Sequence, residues 1–146
     1  MITNALSVDV EEYYHGREFE AAVPAEQRCY LPSRVTDSTE KVLALLEMLT
    51  VHATFFVVGQ IAEEHPALLR KIHRAGHEIA CHSYRHELVS RQTPAEFRTD
   101  VRRAKQVLED FTGAPILGFR APNYSIGPDQ DWAYDILLEE GFFYDS

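Results

Sequence analysis

Short runs of β-forming residues alternate with amphipathic helical patterns, and this alternation constrains the fold more than any other feature of the sequence. The clearest run is ATFFVV at residues 53–58, an apolar segment ended by Gly59, as is typical of a strand buried on both faces. We expect the other strands at residues 5–9, 77–81, 115–119 and 141–145. Alternating strands and helices predict an α/β fold with a parallel sheet covered by helices.

Helices are expected between these strands, and several have recognisable ends. Thr93, Pro94 and Glu96 form a capping-box pattern, and Gly113 follows the last apolar position of that helix. The other helices are predicted at residues 37–50, 66–75 and 129–140. Two architectures fit, an open doubly wound sheet or part of a (β/α) barrel. A complete barrel usually needs at least about 200 residues, so these 146 residues would form one domain with about five βα units of a barrel.

Charge and composition exclude several classes of partner. The chain has 14 Lys and Arg against 23 Asp and Glu, a net charge of −9, which repels nucleic acid and anionic membranes. The opening MITNALSVDVEEYYH lacks the features of a signal peptide, and no apolar stretch is long enough to span a membrane. We therefore expect a cytoplasmic chain. Its two cysteines are too few for a disulfide framework, and its oligomeric state stays open.

Three polar clusters follow predicted strands, at residues 9–12 (DVEE), 82–86 (HSYRH) and 120–124 (RAPNY). Active sites of parallel α/β folds form at the carboxyl ends of the strands. Since these clusters all follow strands of one sheet, we expect them to meet at one edge.

His82 and His86 are four residues apart, a spacing that can direct two imidazoles at one point. One added carboxylate gives a two-histidine, one-carboxylate metal site with coordination positions left for water and substrate. The alternative is that each histidine caps a strand end or lies on the surface. The pairing, the strand end and the nearby acids favour the metal site.

The remaining polar residues of the three clusters have expected roles too. Asp9 and Glu11 would share a face at the end of the first strand, where one could bind metal and the other accept a proton, whereas Glu12 would point to solvent. Arg120 could hold Asp9 through a bidentate contact. Tyr124 offers a ring for sugar contact and a backbone N–H for an oxyanion. Alternatively, DVEE is a solvated turn and Arg120 a structural ion-pair partner.

The other histidines are expected to matter less. His15 lies in the first loop and could line the site. Four further histidines are predicted to be surface or packing residues at the opposite edge of the sheet: His52, His65, His73 and His77.

The sequence TFFVVGQIAEEHPALLRKIHRAGHEIACHSYRH, followed by GFRAPNYS and FFYDS, resembles the polysaccharide deacetylase family (NodB homology, carbohydrate esterase family four). The opening LSVDVEEYYH resembles the subgroup associated with exosortase and exopolysaccharide clusters. The resemblance runs from Leu6 to Ser146, and the combination of motifs is far more specific than HxxxH alone.

This resemblance implies a distorted (β/α) barrel, a divalent metal that is commonly Zn²⁺, and hydrolytic removal of acetyl groups from N-acetylglucosamine-type units of a polysaccharide. Asp9 matches the catalytic base, His82 and His86 the metal ligands, and Arg120 the arginine that orients the base. Tyr124 occupies the position whose backbone N–H helps to hold the oxyanion.

The sequence departs from the family pattern in two places. Val10 follows Asp9 where the family has a second aspartate, so Glu11 is the expected replacement ligand. The family's later motifs, including the histidine that acts as general acid, are expected beyond residue 146. The domain would then be truncated at its C-terminal side, and the 146-residue chain would have weak or no activity. Two alternatives remain, action on the C–N bond of a cyclic imide or ureide and a non-catalytic carbohydrate-binding module.

Overall fold

The computed structural model describes residues 4–16, 19 and 22–146, and within this part all side chains except those of residues 25 and 29. In the described part the strands are β1 (Ser7–Val10), β2 (Thr54–Val57), β3 (Glu78–Cys81), β4 (Gly118–Phe119) and β5 (Tyr144–Asp145). The α-helices are α1 (Val35–Leu49), α2 (Gly59–Glu64), α3 (Pro66–Arg74), α4 (Pro94–Thr112) and α5 (Trp132–Glu139). Short 3₁₀ turns occupy several of the connections, at Tyr13–His15, Ala25–Tyr30, Val89–Arg91, Pro122–Tyr124 and Pro128–Gln130.

The strands form one parallel sheet in the order β1-β2-β3-β4-β5. The register pairs Asp9 with Phe56 and Cys81 with Phe119. A doubly wound sheet reverses its strand order at a switch point, whereas a (β/α) barrel adds strands in sequence. The observed sequential order decides between the two expected architectures and confirms the α/β barrel type.

The two faces of the sheet differ in the side chains that pack against them. The face under the helices is apolar, and Phe55, Phe119 and the α4 residue Phe97 are all fully buried there. Each such side chain stabilises the fold by roughly 1.5–3 kcal/mol. On the opposite face, Tyr144 packs against Phe56 with ring centroids 6.5 Å apart. Gly118 lies beside them, and any Cβ there would come within 2.2 Å of the Tyr144 ring.

The ends of α4 follow the sequence pattern. Glu96 N–H donates to Thr93 Oγ1 over 3.4 Å, and Thr93 N–H donates to Glu96 Oε2 over 2.8 Å. Gly113 ends the helix with φ +68°. Both expected helix signals are therefore confirmed.

Helix α2 is the element that the sequence prediction missed. It has only six residues and starts directly at Gly59, which was expected simply to end β2. Gly59 is needed because a Cβ there would lie 2.6 Å from the ring of Tyr84. The start of α2 therefore packs directly against the HSYRH loop. Across the described residues, none of the helices has the length and apolar composition needed to cross a bilayer.

Candidate metal centre

The HSYRH loop leaves β3 in an unusual backbone conformation. Ser83 has φ +61° and His86 has φ +57°, values in the left-handed region that cost energy for non-glycine residues. His86 N–H donates to Ser83 Oγ over 2.8 Å, which closes the loop on itself. The two left-handed residues turn the chain so that His86 comes back beside His82, with their ring centroids 5.0 Å apart.

Asp100 of α4 accepts hydrogen bonds from two backbone N–H groups of this loop. Its Oδ2 accepts from Tyr84 N–H over 2.7 Å and its Oδ1 accepts from Arg85 N–H over 3.2 Å. Burial raises the pKa of the Asp100 carboxyl, while these two backbone donors act against the rise. One carboxylate therefore fixes two of the peptide groups that lie between the histidines. Asp100 was missed because its role depends on a contact across 15 residues that no local pattern reveals.

Glu11, His82 and His86 converge at the carboxyl edge of the sheet. One potential ligand atom from each lies within 4.8 Å of the others. His82 Nε2 is 3.5 Å from Glu11 Oε2, and His86 Nε2 contacts the same oxygen. The imidazoles are almost fully buried, whereas the Glu11 side chain is 27% exposed. The structure thus brings together the three predicted ligands.

The chemistry of this cluster suits a cation. His82 Nδ1 lies 2.8 Å from the Arg120 carbonyl oxygen, which can only accept, so Nδ1 is assigned as the donor and Nε2 faces Glu11. The buried Oε2 of Glu11 is contacted by the Nε2 atoms of both histidines. Burial raises the pKa of Glu11, but the contacts with His82 and His86 outweigh it and hold the pKa far below its usual range. A carboxylate oxygen and two imidazole nitrogens facing one point are the donor set of a divalent metal.

His15 lies beside this cluster and contacts one of its histidines. Its ring stacks on His86 at a centroid distance of 4.9 Å and an interplanar angle of 10°. Burial, followed by the charge of His86, lowers the pKa of His15 to about 4, so the ring is neutral at neutral pH. The prediction that His15 lines the site agrees with this position.

Asp9, two residues before Glu11 in the sequence, is held by Arg120. Arg120 Nη1 donates to Asp9 Oδ1 over 2.6 Å. The expected bidentate contact is wrong, because Nη2 instead donates to the hydroxyls of Ser7 and Ser146, each over 2.8 Å. Ser7 is two residues before Asp9 on the same face of β1, so one guanidinium spans both side chains. Among the described residues, no hydrogen bond engages Asp9 Oδ2.

Tyr124 is placed at the rim of the site. The residue is 68% exposed, and its ring centroid lies 5.7 Å from the Arg120 guanidinium carbon. Its backbone N–H donates to the Ala121 carbonyl over 2.9 Å. Contact between this N–H and an oxyanion would therefore require the turn at Ala121 to open.

Glu12 does not face solvent as expected. It is 1% exposed, its Oε2 accepts from Arg34 N–H over 3.1 Å and its Oε1 accepts from Ser33 Oγ. The sheet ends at Val10, so the alternation of a strand no longer decides where Glu12 points. Glu12 instead anchors the loop that precedes α1.

The other histidines divide into two groups. His52 and His77 lie together at the opposite edge of the sheet with ring centroids 5.7 Å apart, as expected. His65 is different, since it borders a groove that also contains His15. The expectation that His65 lies at the opposite edge is therefore wrong, because His65 follows α2 and lies on the same side of the sheet as His15.

A sequential parallel sheet with a histidine and carboxylate cluster at its carboxyl edge defines an α/β-barrel protein with a candidate metal centre. The sequence matches the family profile "Polysaccharide deacetylase" over residues 29–134. The chain belongs to the polysaccharide deacetylase family.

Two curated relatives illustrate the sequence similarity. The chain is 32% identical over 104 residues to a peptidoglycan-N-acetylglucosamine deacetylase of Bacillus cereus, covering 71% of this chain and 47% of that protein. It is 32% identical over 99 residues to a chitooligosaccharide deacetylase of Bradyrhizobium, covering 68% of this chain and 43% of that protein. The matches thus span less than half the length of these relatives.

Two solved structures share the fold. A family 4 carbohydrate esterase of Streptomyces lividans, in complex with acetate, matches 97% of this chain and 59% of its own, with a TM-score of 0.70 and 23% identity. A family 4 pseudoenzyme of Bacillus anthracis matches 97% of this chain and 41% of its own, with a TM-score of 0.76 and 19% identity. Because the fold occurs in an esterase and in a pseudoenzyme, activity has to be argued from the site residues.

Proposed function

We propose that this chain is the metal-binding part of an N-deacetylase that removes acetyl groups from an N-acetylglucosamine-containing polysaccharide of the exopolysaccharide or cell-wall type. The observation that carries the proposal is the convergence of Glu11, His82 and His86, with Asp9 two residues before Glu11 and held by Arg120. Membership of the polysaccharide deacetylase family supports the reaction class. The names of the Bacillus cereus and Bradyrhizobium relatives support an N-acetylated sugar as substrate.

Glu11, His82 and His86 would hold a divalent metal, for which we propose Zn²⁺. Two imidazole nitrogens and one carboxylate oxygen are a common zinc donor set in hydrolases and leave coordination positions open. Such an ion supplies Lewis-acid polarisation of a carbonyl and lowers the pKa of water from 15.7 to roughly 7. The convergence of these three potential ligand atoms within 4.8 Å of one another is the structural sign that a cation fits this place.

Asp9 is proposed as the general base. Its Oδ1 is fixed by Arg120, and its Oδ2 is left to accept a proton from the attacking water. Arg120 is itself fixed by the hydroxyls of Ser7 and Ser146, so the carboxylate cannot rotate freely. A positioned base of this kind contributes about 10²–10⁴ to the rate.

Tyr124 is proposed as a substrate contact. Its exposed ring stands at the rim, where it can pack against a sugar. The oxyanion role of its backbone N–H stays a prediction and needs the Ala121 turn to open. The proton for the amine leaving group is proposed to come from a histidine in sequence beyond Ser146, and the domain is proposed to continue there.

A second candidate function is a non-catalytic carbohydrate-binding module. The similarity of the fold to the Bacillus anthracis pseudoenzyme is the observation in its favour. The intact two-histidine, one-carboxylate cluster favours catalysis instead.

The test is acetate release from chito-oligosaccharides by the full-length protein reconstituted with Zn²⁺. We expect release by the wild type, and loss of release in His82→Ala and His86→Ala but not in His73→Ala, an exposed residue of α3. Unchanged hydrolysis in the first two variants would contradict the proposal. Hydrolysis of a cyclic imide without acetate release would instead identify the alternative substrate. The 146-residue chain alone should release little or no acetate.

A further inference from the structure

The ring of His15 is fixed by the loop that follows β1. Its Nδ1 accepts from Glu12 N–H over 3.3 Å, and its own backbone N–H donates to the Glu12 carbonyl over 2.9 Å. The Tyr14 ring meets the imidazole edge-on at a centroid distance of 5.1 Å. Glu12 is in turn anchored by Ser33 and the Arg34 backbone. The His15 ring therefore has a defined place and orientation.

This fixed ring lies flat against His86, one of the three candidate metal ligands. The two ring planes differ by 10° and the centroids are 4.9 Å apart. The His82 ring also contacts His86, at an interplanar angle of 71° and a centroid distance of 5.0 Å. With these two rings against it, the His86 side chain is only 4% exposed and has little room to rotate.

The two ligand histidines are oriented in different ways. The hydrogen bond of His82 Nδ1 to the Arg120 carbonyl, over 2.8 Å, directs the Nε2 of that ring at Glu11. A metal-binding histidine usually has such a partner on its second ring nitrogen. His86 differs, because within the described part of the chain its backbone N–H binds Ser83 and its Nε2 contacts Glu11, but no hydrogen bond is made by its Nδ1. Ring packing has to orient His86 instead.

The backbone of His86 adds to this need. Its φ of +57° lies in the left-handed region, which costs energy for a residue with a side chain. A return to a more favourable conformation would carry the imidazole away from His82 and Glu11. Contacts that hold the ring in its present place therefore also hold the backbone in this conformation.

His15 itself is not placed as a ligand. Its Nδ1 is occupied by Glu12 N–H, and the cluster found among the described residues consists of Glu11, His82 and His86 without it. The lone pairs of an imidazole lie in the plane of the ring. A ring that is stacked on His86 therefore turns its face, and not a lone pair, towards that ligand.

We propose that His15 is a positioning residue of the metal centre, which holds the His86 ring by stacking so that Nε2 of His86 points at Glu11. A ligand that is already held before the ion arrives loses less conformational freedom on binding, so the metal affinity is higher. This inference rests on the proposed function, and it adds a residue outside the HSYRH loop that determines the affinity of the site.

Two variants separate the ring of His15 from its hydrogen bond. His15→Phe keeps an aromatic face against His86 and lacks the Nδ1 acceptor, whereas His15→Asn keeps an acceptor for Glu12 N–H and lacks the ring. Competition with a chromophoric chelator measures the Zn²⁺ affinity of the full-length protein. We expect a loss of about tenfold in His15→Asn and of no more than about threefold in His15→Phe. His73→Asn, a change at an exposed position of α3, is the control and should bind as the wild type does.

The visible absorption spectrum of bound Co²⁺ gives a second measurement, which a mere loss of stability would not change. Displacement of His86 alters the coordination geometry, so the spectrum of His15→Asn should differ from that of the wild type, and His15→Phe should restore it. A wild-type Zn²⁺ affinity or a wild-type Co²⁺ spectrum in His15→Asn would overturn the inference. Equal losses of affinity in both variants would also overturn it, since a nitrogen of His15 would then matter rather than its ring.

A missing positioning effect can be told apart from a missing metal centre. If the wild type binds Zn²⁺ and releases acetate, but His15→Asn binds the ion equally well, only the role of His15 is wrong. If the wild type binds no Zn²⁺, the metal centre of the proposed function is wrong as well.

Discussion

Arg120 Nη1 donates to Asp9 Oδ1 over 2.6 Å and joins the end of β4 to β1. The carbonyl of the same arginine accepts from His82 Nδ1 at 2.8 Å. One residue therefore fixes both the proposed base and the tautomer of a proposed metal ligand. Arg120 therefore links the two halves of the site.

Asp9→Asn should slow catalysis strongly and spare metal binding. The amide cannot accept a proton from water, so the rate of acetate release by the full-length protein should fall about 10²–10⁴-fold. Zn²⁺ affinity should change little, since Asp9 lies outside the Glu11, His82 and His86 cluster. Initial rates and calorimetric titration measure the two quantities. A loss of Zn²⁺ affinity as large as that of His82→Ala would make Asp9 a ligand rather than the base.

Asp100→Asn should weaken metal binding from a distance. The change places an NH₂ group against one of two backbone N–H donors, so the HSYRH loop loses a fixed peptide. We expect Zn²⁺ affinity to fall about tenfold to hundredfold, as for other partners that orient ligands. Competition with a chromophoric chelator measures this.

Asp110→Asn is the matched control on the same helix, because Asp110 is exposed and contacts Gln106 rather than the loop. If the role of Asp100 is purely structural, Asp100→Asn lowers the free energy of unfolding of the metal-free chain by about 1–3 kcal/mol and leaves the Zn²⁺ affinity unchanged. That outcome would contradict a positioning role.

Tyr144 should ionise at unusually high pH. Burial, together with the Glu78 carboxylate that accepts from its hydroxyl over 2.8 Å, raises the pKa of Tyr144. Because the folded pKa exceeds the ordinary value of about 10, this group's contribution to stability is complete below about pH 10 and is lost as pH rises through the folded pKa.

Glu78→Gln should move the pKa of Tyr144 back towards its ordinary value, because the neutral amide no longer disfavours phenolate. NMR of ring-labelled tyrosine across alkaline pH measures this shift. Glu47→Gln, an exposed change on α1, should leave it in place. An identical Tyr144 titration in Glu78→Gln would show that the hydroxyl does not contact Glu78.

Much of the architecture could be predicted from local patterns. The Thr93 and Gly113 signals directly flank the two ends of α4, and the apolar run before Gly59 marks β2 without reference to other elements. His82 and His86 could be predicted as ligands because their four-residue spacing after a strand is evident from the sequence alone. The order of the strands in the sheet could not be predicted from the sequence, and only the observed strand pairing decides it.

The missed features depend on contacts between distant segments. Asp100 reaches the HSYRH loop from another element, and Glu12 is buried because Ser33 and Arg34 fold back over it. Arg120 was expected to bind Asp9 with both nitrogens, but Ser146 at the far end of the chain takes part of its donor capacity. Spacing along the chain carries no information on such partners.

The most direct test is the stoichiometry of Zn²⁺ bound after metal stripping and reconstitution, measured by mass spectrometry of the dialysed 146-residue chain and of its Glu11→Gln, His82→Ala and His86→Ala variants. The site predicts about one Zn²⁺ per wild-type chain and a large loss in each variant, with His73→Ala retaining the ion. A wild-type chain that retains no Zn²⁺, or variants that retain it as well as the wild type, would contradict a metal centre formed by these three residues.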